Sequence, residues 1–408
     1  MVYKKEDFMS YISDKVSSLA PSPTIAISNL ARQLKAAGQD VIPLGIGETD
    51  FRVPKHVDQA AVEAINKGIT KYPPLNGFPE LKDAIIQKLK RDNDLTYKPE
   101  QIIVCNGVKQ ALYNLFAATL NPNDEVIIPA PYWVSYVDMV IIAGGKPVII
   151  PCDAKDDFKL QPGVLKDAIT EKTKWLIFNS PQNPTGSCYS YDEIKNITDI
   201  LMQHPHTGLI SDDIYEHIVY DDFKFYTPAQ VQPQLYDRVV TINGLSKAYS
   251  MTGWRVGYAA GSTEIINAMS IIQSQSTSGV CSIAQCAATA ALNGDQRVLE
   301  ERLHILKNRR QIALDVISST GDLITNIPKG AFYLFISCKN VLNKKTKRGM
   351  VINNDKQFAQ YLIEDYQVVV IPGEAFGMPG FFRLSYAASE VAVRKGCERI
   401  VEACKNLS

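Results

Sequence analysis

The sequence lacks three features that would each indicate a particular class of protein. Its 43 basic and 43 acidic side chains balance, whereas proteins that chiefly bind nucleic acid or anionic membranes are normally basic. No apolar run approaches the roughly 20 residues that a membrane-spanning helix needs. Residues 1–15 mix acids with bases and have no apolar segment, so we expect no secretory signal. These absences favour a cytoplasmic protein that binds neither nucleic acid nor membrane.

Motifs for metals, disulfides and dinucleotides are missing as well. The eight cysteines show no CxxC pair and no metal-ligand spacing, so reduced thiols are expected. His204 and His206 are separated by a proline and no acidic cluster follows, so we expect no metal site. A nicotinamide-dependent enzyme is disfavoured because no Gly-x-Gly-x-x-Gly motif follows a predicted strand.

The composition is that of an ordinary globular protein. The chain has 408 residues, of which 46% are hydrophobic and 21% charged, and this allows about two to four domains. In the middle of the chain, short apolar runs alternate with longer helical patterns, which predicts an α/β fold with a mostly parallel sheet covered by helices. The predicted strands are residues 102–105, 125–129, 146–151, 174–179, 208–211, 239–243 and 256–260.

The C-terminal stretch has a different pattern, which predicts a second, smaller domain. Residues 330–335 and 368–371 are typical of strands, residues 356–365 are typical of a helix, and a last helix begins near Glu390. We predict a large domain over residues 46–320 and a small α+β domain built from residues 1–45 and 321–408.

Polar or glycine-rich segments follow five of the predicted strands, directly after each strand's carboxyl end. In an open parallel sheet, ligands bind outside the carboxyl ends of the strands. We therefore expect these segments, which are distant in sequence, to converge on one cleft. They are residues 106–109, 131–133, 180–186, 212–215 and 244–247.

Lys247 is the strongest candidate for a reactive side chain. It follows an apolar strand, small residues flank it, and Arg255 stands eight positions later. A lysine that is desolvated at the end of a strand can have a lowered pKa and act as an amine nucleophile. We therefore predict that Lys247 bonds covalently to a carbonyl group.

The segment around Lys247, residues 244–257, resembles the pyridoxal-phosphate attachment signature of class I aminotransferases at every position. Further matches run along the whole chain in order and spacing, at residues 47–51, 71–77, 106–111, 131–136, 183–186, 212–216 and 383–387. The sequence is most similar to the prokaryote-type aspartate aminotransferase subgroup. The resemblance implies the fold-type I architecture, pyridoxal 5'-phosphate as cofactor, amino acid and 2-oxo acid substrates, and a homodimer with shared active sites.

The same resemblance implies roles for individual residues around the cofactor. Lys247 would bind it covalently and then move the proton between the substrate Cα and the cofactor carbon. Asp212 would pair with the pyridine nitrogen and keep it protonated. Tyr215 and Asn183 would bond to the ring oxygen, and Trp133 would stack on the ring. Lys247, Asp212 and Tyr215 are thus the predicted catalytic residues.

The cofactor's phosphate requires residues that bind an anion. Residues 107–109 open a predicted helix, whose free N–H groups and dipole favour a phosphate, and Arg255 would add a bidentate contact. Tyr72 resembles the tyrosine that reaches the phosphate from the partner subunit. Many relatives have serine where this chain has Gly244, which removes one hydroxyl. The phosphate candidates are Gly107, Val108, Lys109, Ser246, Arg255 and Tyr72.

The resemblance also implies how the substrate binds. Arg383 would bind the α-carboxylate, because the planar guanidinium matches a carboxylate. Gly47 would let the backbone approach the substrate closely. Trp133 and Asn183 would contact the substrate as well as the cofactor.

The side-chain pocket decides which amino acid reacts. Lys109, Ser22 and Thr24 match the residues that contact the distal carboxylate of a dicarboxylic substrate in this subgroup, which favours aspartate and glutamate. A role for Lys109 at the phosphate alone stays open. We therefore expect transamination of L-aspartate with 2-oxoglutarate, giving oxaloacetate and L-glutamate.

Three other functions are compatible with parts of this pattern. Acceptors of the prephenate, aromatic or alanine type stay open, and so does a pyridoxal-phosphate-dependent β-lyase, which uses the same cofactor chemistry. A cofactor-binding sensor domain is disfavoured, because the chain has no spare ~60–80 residues for a DNA-binding module.

Overall fold

The computed structural model describes residues 11–17, 19 and 23–408, apart from the side chains of residues 23–25 and 28. In this part of the chain, no helix has the length and apolar character needed to cross a membrane. The strands are β1 (Ile42–Pro43), β2 (Ile102–Cys105), β3 (Glu125–Ala130), β4 (Lys146–Pro151), β5 (Thr173–Asn179), β6 (Gly208–Asp212), β7 (Val239–Gly244), β8 (Gly257–Ala260), β9 (Ile324–Thr325), β10 (Tyr333–Ser337), β11 (Val368–Val369), β12 (Ile371–Pro372) and β13 (Phe381–Ser385). The helices are α1 (Asp14–Ser17), α2 (Pro23–Ala36), α3 (Lys55–Asn66), α4 (Pro79–Asn93), α5 (Val108–Thr119), α6 (Ser135–Ile142), α7 (Pro162–Ala168), α8 (Tyr191–Met202), α9 (Pro228–Val231), α10 (Thr263–Ser274), α11 (Ser282–Asn293), α12 (Arg297–Ile317), α13 (Asp355–Tyr366) and α14 (Glu390–Lys405).

A seven-stranded sheet lies at the centre of the molecule, with the strand order β2–β8–β7–β6–β5–β3–β4. The pairs β3/β4, β3/β5, β5/β6 and β6/β7 are parallel, whereas β8 runs antiparallel to β2 and β7. The chain reverses over residues 245–256 and brings Gly257 beside Gly244. The predicted mostly parallel α/β sheet is confirmed, with β8 as its reversed strand.

Both faces of this sheet are buried except at the edge strand β4, which explains why most of its strands are apolar runs. In β2, Ile102 and Val104 pack into a core on one face of the sheet. The alternate residues Ile103 and Cys105 pack into a separate core on the other face. Because side chains alternate along a strand, four consecutive apolar residues supply both cores.

A second unit combines both ends of the described chain. β12, β13, β10 and β9 form an antiparallel sheet in that order, and α14 packs against α12 over a shared core that includes Leu306 and Ile400. β1 joins this unit by pairing in parallel with β11. The division of the chain at residues 45–46 and 320–321 stays a prediction.

Two predicted strands of this unit were placed inaccurately. Residues 368–371 are split, because β11 pairs with β1 whereas β12 pairs with β13 in a different sheet. The strand expected from residue 330 begins at Tyr333. Gly330 and Ala331 instead donate backbone hydrogen bonds to Gly186 and Ile218 of the larger unit, and Ala331 has a left-handed φ of 54°.

Candidate active site

The segments that follow β2, β3, β5, β6 and β7 meet at one edge of the main sheet, around a cavity of about 560 Å³. Residues 45–48 and side chains from β10 and β13 enclose the cavity from the second unit. The convergence expected from the sequence is therefore present. The predicted site residues that line the cavity are Gly47, Val108, Lys109, Trp133, Asn183, Asp212, Tyr215, Ser246, Lys247, Arg255 and Arg383.

Lys247 follows β7, and its partly buried amine faces the cavity. Nζ donates a hydrogen bond to the Gly47 carbonyl oxygen at 2.7 Å and lies 5.9 Å from the centre of the Tyr215 ring. Burial, helped by the charge of Arg383, lowers the pKa of Lys247 to about 8. Its amine is therefore neutral more often near pH 7 than an ordinary lysine amine, which is the state that a nucleophile requires.

Asp212 is the last residue of β6, and its carboxylate is buried. Oδ2 accepts a hydrogen bond from the Tyr136 hydroxyl at 2.6 Å, and Oδ1 accepts a longer one from the backbone N–H of Ile214. Burial raises the pKa of Asp212 to about 6 in spite of these bonds. A cationic partner in the cavity would stabilise the ionised form of this carboxylate.

Two tyrosines from different units contact each other beside Lys247. The hydroxyl oxygens of Tyr215 and Tyr333 lie 2.8 Å apart. Burial, reinforced by Tyr333, raises the pKa of Tyr215 well above 10, so its hydroxyl stays protonated and able to donate. A Cβ on Gly47 would lie 2.7 Å from the Tyr333 hydroxyl oxygen, so the backbone approaches this closely only because residue 47 is glycine.

Arg383 of β13 is buried among neutral partners. Its Nη1 donates to Asn183 Oδ1 and its Nη2 to the Gly45 carbonyl, each at 2.8 Å. Its guanidinium carbon lies 4.4 Å from the centre of the Tyr333 ring and 4.9 Å from that of Phe376. Within the part of the chain that the structure describes, Nε has no hydrogen-bond partner. Burying a guanidinium without a carboxylate is unfavourable, so this geometry favours a bound anion at Arg383.

A second anion site is formed where α5 begins. The first N–H groups of a helix have no partner within it, and here they adjoin the Arg255 guanidinium. Gly107 has a φ of 82°, and a Cβ on it would lie 2.5 Å from Arg255 Nη2. Arg255 donates to the carbonyls of Thr252 and Asn106 at 2.9 and 3.2 Å. Both are neutral acceptors, so the full charge of Arg255 is available to a ligand.

The glycine that replaces the family's serine lies in a tight backbone contact. A Cβ on Gly244 would lie 3.0 Å from both the Gly257 Cα and the Val256 carbonyl oxygen. Both are backbone atoms, so a side chain at position 244 requires β7 and β8 to shift apart. Ser246 is the nearby hydroxyl that lines the cavity.

Trp133 lies at another part of the cavity, against Tyr136. The two rings are nearly perpendicular, at 86°, with their centres 5.4 Å apart. Lys109 Nζ lies 5.0 Å from the centre of the Trp133 ring. Burial and the nearby charge of Arg255 lower the pKa of Lys109. The lysine and the tryptophan thus form one wall of the cavity.

Two described residues that were predicted for the site, Gly107 and Tyr72, do not line the cavity, although Gly107 adjoins Arg255. Tyr72 is 95% exposed and does not line the cavity. Ser22 lies outside the described residues, and the side chain of Thr24 does too.

The structure also adds residues that the sequence reasoning missed. Tyr136 lies within a matched motif, so its position could have been noticed, and Tyr333 lies in a predicted strand. Asn179 ends β5, and its Nδ2 donates to the Asp212 carbonyl at 2.8 Å. Glu48 also lies within a matched motif, residues 47–51, whereas no local sequence signal indicated that Arg32 would line the cavity.

The family assignment rests on a match to most of the chain. The family model described as aminotransferase class I and II matches residues 39–400, a range that contains Lys247, Asp212 and Arg383. The chain belongs to the class I and II aminotransferase family. Membership of this family implies dependence on pyridoxal 5'-phosphate.

Several relatives of this aminotransferase match it along nearly its full length. It is 52% identical over 399 residues to a probable aspartate/prephenate aminotransferase of Rickettsia bellii, covering 98% of this chain and 100% of the relative. Its fold is similar to that of the aspartate aminotransferase from Rhizobium meliloti, with a TM-score of 0.95, 48% identity, and 98% and 100% coverage of the two chains. The aspartate aminotransferase from Thermus thermophilus with maleate gives a TM-score of 0.90 at 38% identity, with coverage of 97% and 100%.

The cavity of this aminotransferase fits pyridoxal phosphate on three observations. Asp212 is a buried carboxylate whose pKa is raised by burial, so a cation bound beside it would stabilise its ionised form. The Lys247 amine is bonded to a neutral carbonyl, although a lysine amine normally pairs with a carboxylate when it is desolvated. The start of α5 and Arg255 form an anion site with neutral partners. An aldehyde, a ring nitrogen and a phosphate therefore each have a complementary group.

Proposed function

We propose that the protein catalyses transamination between L-aspartate and 2-oxoglutarate, giving oxaloacetate and L-glutamate, with pyridoxal 5'-phosphate as cofactor. The observation that carries the proposal is the Lys247 amine, which lies in one cavity with a buried Asp212 carboxylate and a buried Arg383 guanidinium without an anionic partner. The names of relatives near 50% identity, aspartate/prephenate and aspartate aminotransferases, support the same reaction.

Bound pyridoxal phosphate supplies an electron-withdrawing ring that acidifies the hydrogen on the substrate Cα. In this proposal Lys247 would hold the cofactor, and its amine would accept and return the proton at the substrate Cα. A lowered pKa suits Lys247 to this task, because an amine that is neutral near pH 8 can accept a proton. Asp212 holds the proton on the ring nitrogen, and Tyr136 fixes the carboxylate for that role.

The remaining cofactor contacts come from residues that the fold already holds in place. Tyr215 and Asn183 would bond to the ring oxygen, and Trp133 would stack on the ring. The start of α5 with Gly107, Val108 and Lys109, together with Arg255 and Ser246, would hold the phosphate. Apart from Gly107, these residues line one cavity together with Lys247, so a cofactor that they held would lie within reach of the Lys247 amine.

We further propose that the protein works as a homodimer. Tyr72 is 95% exposed in the single chain, whereas a phosphate ligand would need to be enclosed. A partner subunit that contributed its own copy of this tyrosine would complete the phosphate site. Burial of the Tyr72 ring in that interface would also remove a large exposed aromatic surface from water.

The substrate would bind between the two units of the chain. Arg383 would hold the α-carboxylate, and Gly47 would leave room for the substrate beside Tyr333. Lys109, with Ser22 and Thr24, would receive the distal carboxylate. The dicarboxylate maleate in the similar Thermus structure supports a dicarboxylic substrate.

The test adds L-aspartate to the purified holoenzyme with no oxo acid present. One oxaloacetate per active site is expected, together with a change in the cofactor's visible absorption. Oxaloacetate formation that continues beyond one equivalent, or none at all, would contradict the proposed half-reaction. Ammonia and pyruvate released from a cysteine conjugate without an acceptor would favour the β-lyase, and amino transfer to prephenate would add that oxo acid to the acceptors.

A further inference from the structure

The cavity holds more positive charge than its own residues neutralise. Its cationic side chains are Arg32, Lys109, Lys247, Arg255 and Arg383, and its carboxylates are Glu48 and Asp212. Among the described residues, none of these five cations forms an ion pair with a carboxylate: their hydrogen bonds go to carbonyl and amide oxygens. A cavity with this charge is complementary to a ligand set with several anionic groups.

The proposed ligands account for three of these cations. Arg255 faces the cofactor's phosphate, Arg383 the substrate's α-carboxylate, and Lys247 the carbonyl carbon of the cofactor. If the substrate is dicarboxylic, one further anion has to be placed. Two cations, Lys109 and Arg32, are left to receive it.

Arg32 reaches the cavity from α2, in the second unit. Ala31, the preceding residue, is buried in a small apolar core with Val41, Ile363 and Val369, so α2 is attached to the second unit by that side. Arg32 is the next residue, about 100° further around the helix, and it is exposed on the cavity side.

The same helix also adjoins the Trp133 wall of the cavity. Ile27 of α2 packs against the apolar cluster that Val134 also contacts, and Val134 follows Trp133 directly. Lys109 lies over the Trp133 ring. Arg32 and Lys109 thus line the same cavity, Arg32 from the second unit and Lys109 from α5.

With the described residues, the Arg32 side chain forms one hydrogen bond, which uses only one of its donors. Nη2 donates to Asn29 Oδ1, one turn earlier on the helix, at 2.6 Å. A guanidinium has five N–H donors arranged to match a carboxylate. The amide of Asn29 is neutral, so it restricts the side chain without neutralising the charge.

We propose that Arg32 is a specificity-determining residue that binds the distal carboxylate of a dicarboxylic substrate together with Lys109. This inference rests on the proposed function, and it assigns the dicarboxylate preference to two cations that approach from the two units. A substrate with one carboxylate gains nothing from Arg32. The selectivity between the two kinds of substrate therefore depends on this side chain.

The test measures the dissociation constants of succinate and butyrate from the holoenzyme by calorimetry. The two acids have the same chain length and differ in the second carboxylate. Arg32→Gln is expected to weaken succinate binding by about tenfold while butyrate changes by less than about twofold, because a hydrogen bond to a charged group contributes about that much. Arg32→Lys, which keeps the charge without the planar guanidinium, is expected to lose less succinate affinity than Arg32→Gln.

The matched control is Lys35→Gln. Lys35 is an exposed cation of the same helix that does not line the cavity, so this variant should bind both acids as the wild type does.

Unchanged succinate binding in Arg32→Gln would overturn the inference. Equal weakening of succinate and butyrate would also overturn it, since that result indicates a general distortion of the cavity. If Lys35→Gln weakened succinate binding as much as Arg32→Gln, the loss would come from long-range electrostatics. A direct contact between Arg32 and the distal carboxylate would then be rejected. Wild-type holoenzyme that forms no oxaloacetate from aspartate would instead contradict the proposed function.

Discussion

Two lysines on opposite sides of the segment that follows β6 have contrasting surroundings. Lys88 of α4 is 2% exposed and forms an ion pair with the buried carboxylate of Glu216. It also donates to Asn93 Oδ1 at 2.7 Å. Lys247 is desolvated as well, but its amine bonds to the carbonyl of Gly47 and to no carboxylate of the described chain.

The acidic partner of Lys88 is correspondingly well stabilised. Burial opposes the ionisation of Glu216, but the charges of Lys88 and His217 and the hydrogen bonds from Lys88 and Asn93 outweigh it and lower the pKa of Glu216 to about 2. Asn243 also donates to this carboxylate at 2.7 Å. The comparison shows that a desolvated lysine next to a carboxylate forms an ion pair and stabilises the fold. A desolvated lysine without such a carboxylate has a lowered pKa, and its amine is therefore more reactive.

Replacement of the unpaired lysine should have the largest effect. Lys247→Ala is expected to lower aspartate transamination by more than about 10⁴-fold, because it removes both the covalent anchor and the proton acceptor. Far-UV circular dichroism should match the wild type, since no ion pair is broken. Substantial turnover in this variant would contradict the catalytic assignment.

Replacement of the paired lysine should affect stability instead. Lys88→Met leaves Glu216 buried without its cation, which is expected to lower the free energy of unfolding by about 3–5 kcal/mol. Urea unfolding of both proteins measures the difference. Lys90→Met is the matched control on the same helix: its partner Asp94 and Lys90 itself are exposed, so little or no loss is expected. Similar losses in the two variants would remove the contrast between paired and exposed lysines.

The two amines should also differ in reactivity as the pH changes. Only a neutral amine reacts with an acylating reagent, so labelling of Lys247 in the cofactor-free protein should be half-maximal near pH 8 and fall about tenfold per pH unit below it. Lys88 should stay unlabelled over this range because it is buried and paired. Asp212→Asn should move the Lys247 midpoint to lower pH, since the Asp212 charge favours the protonated amine.

Mass spectrometry of the labelled peptides gives both profiles from the same sample. A Lys247 midpoint near that of ordinary surface lysines would show that its surroundings do not perturb it. If Lys247 and Lys88 were labelled with the same dependence on pH, the proposed difference between an unpaired and a paired amine would be contradicted.

The smallest of these effects is expected at Lys109, which is unpaired but only partly removed from water. Lys109→Ala should raise the KM for aspartate by about tenfold and change the KM for an aromatic amino acid much less, because only aspartate presents a distal carboxylate. Lys109→Met keeps an apolar stem over Trp133 and should behave in the same way. Steady-state kinetics that show equal changes for both substrates would assign Lys109 to the phosphate.

The predictable parts of this fold are those whose structure follows from the pattern of one short segment of sequence. Most strands of the main sheet are buried apolar runs, and five of them end at a polar or glycine-rich segment, so residues 106–109 and 244–247 identified both the strand and the site. The antiparallel direction of β8 was not predictable, because a short run of small and apolar residues does not indicate whether a strand pairs in parallel or antiparallel.

The second unit was harder to predict, because its contacts join residues far apart in the chain. Tyr333 meets Tyr215 across 118 positions, and Arg383 meets Gly45 across 338. The start of β10 was misplaced for the same reason, since Gly330 donates to Gly186 of the other unit. The position of Arg32 was unpredictable for the same reason. The helix that contains it has an ordinary amphipathic pattern, and whether Arg32 lines the cavity depends on how that helix packs.

The carbonyl groups of Gly45 and Gly47 have a consequence for ligand exchange. They hold the Arg383 guanidinium and the Lys247 amine in the absence of any charged partner. An arriving anion or aldehyde therefore displaces a neutral acceptor and never has to separate two opposite charges. The two displaced carbonyls lie two residues apart in the backbone segment 45–47. A ligand that binds either cation therefore changes the hydrogen bonding of this one segment.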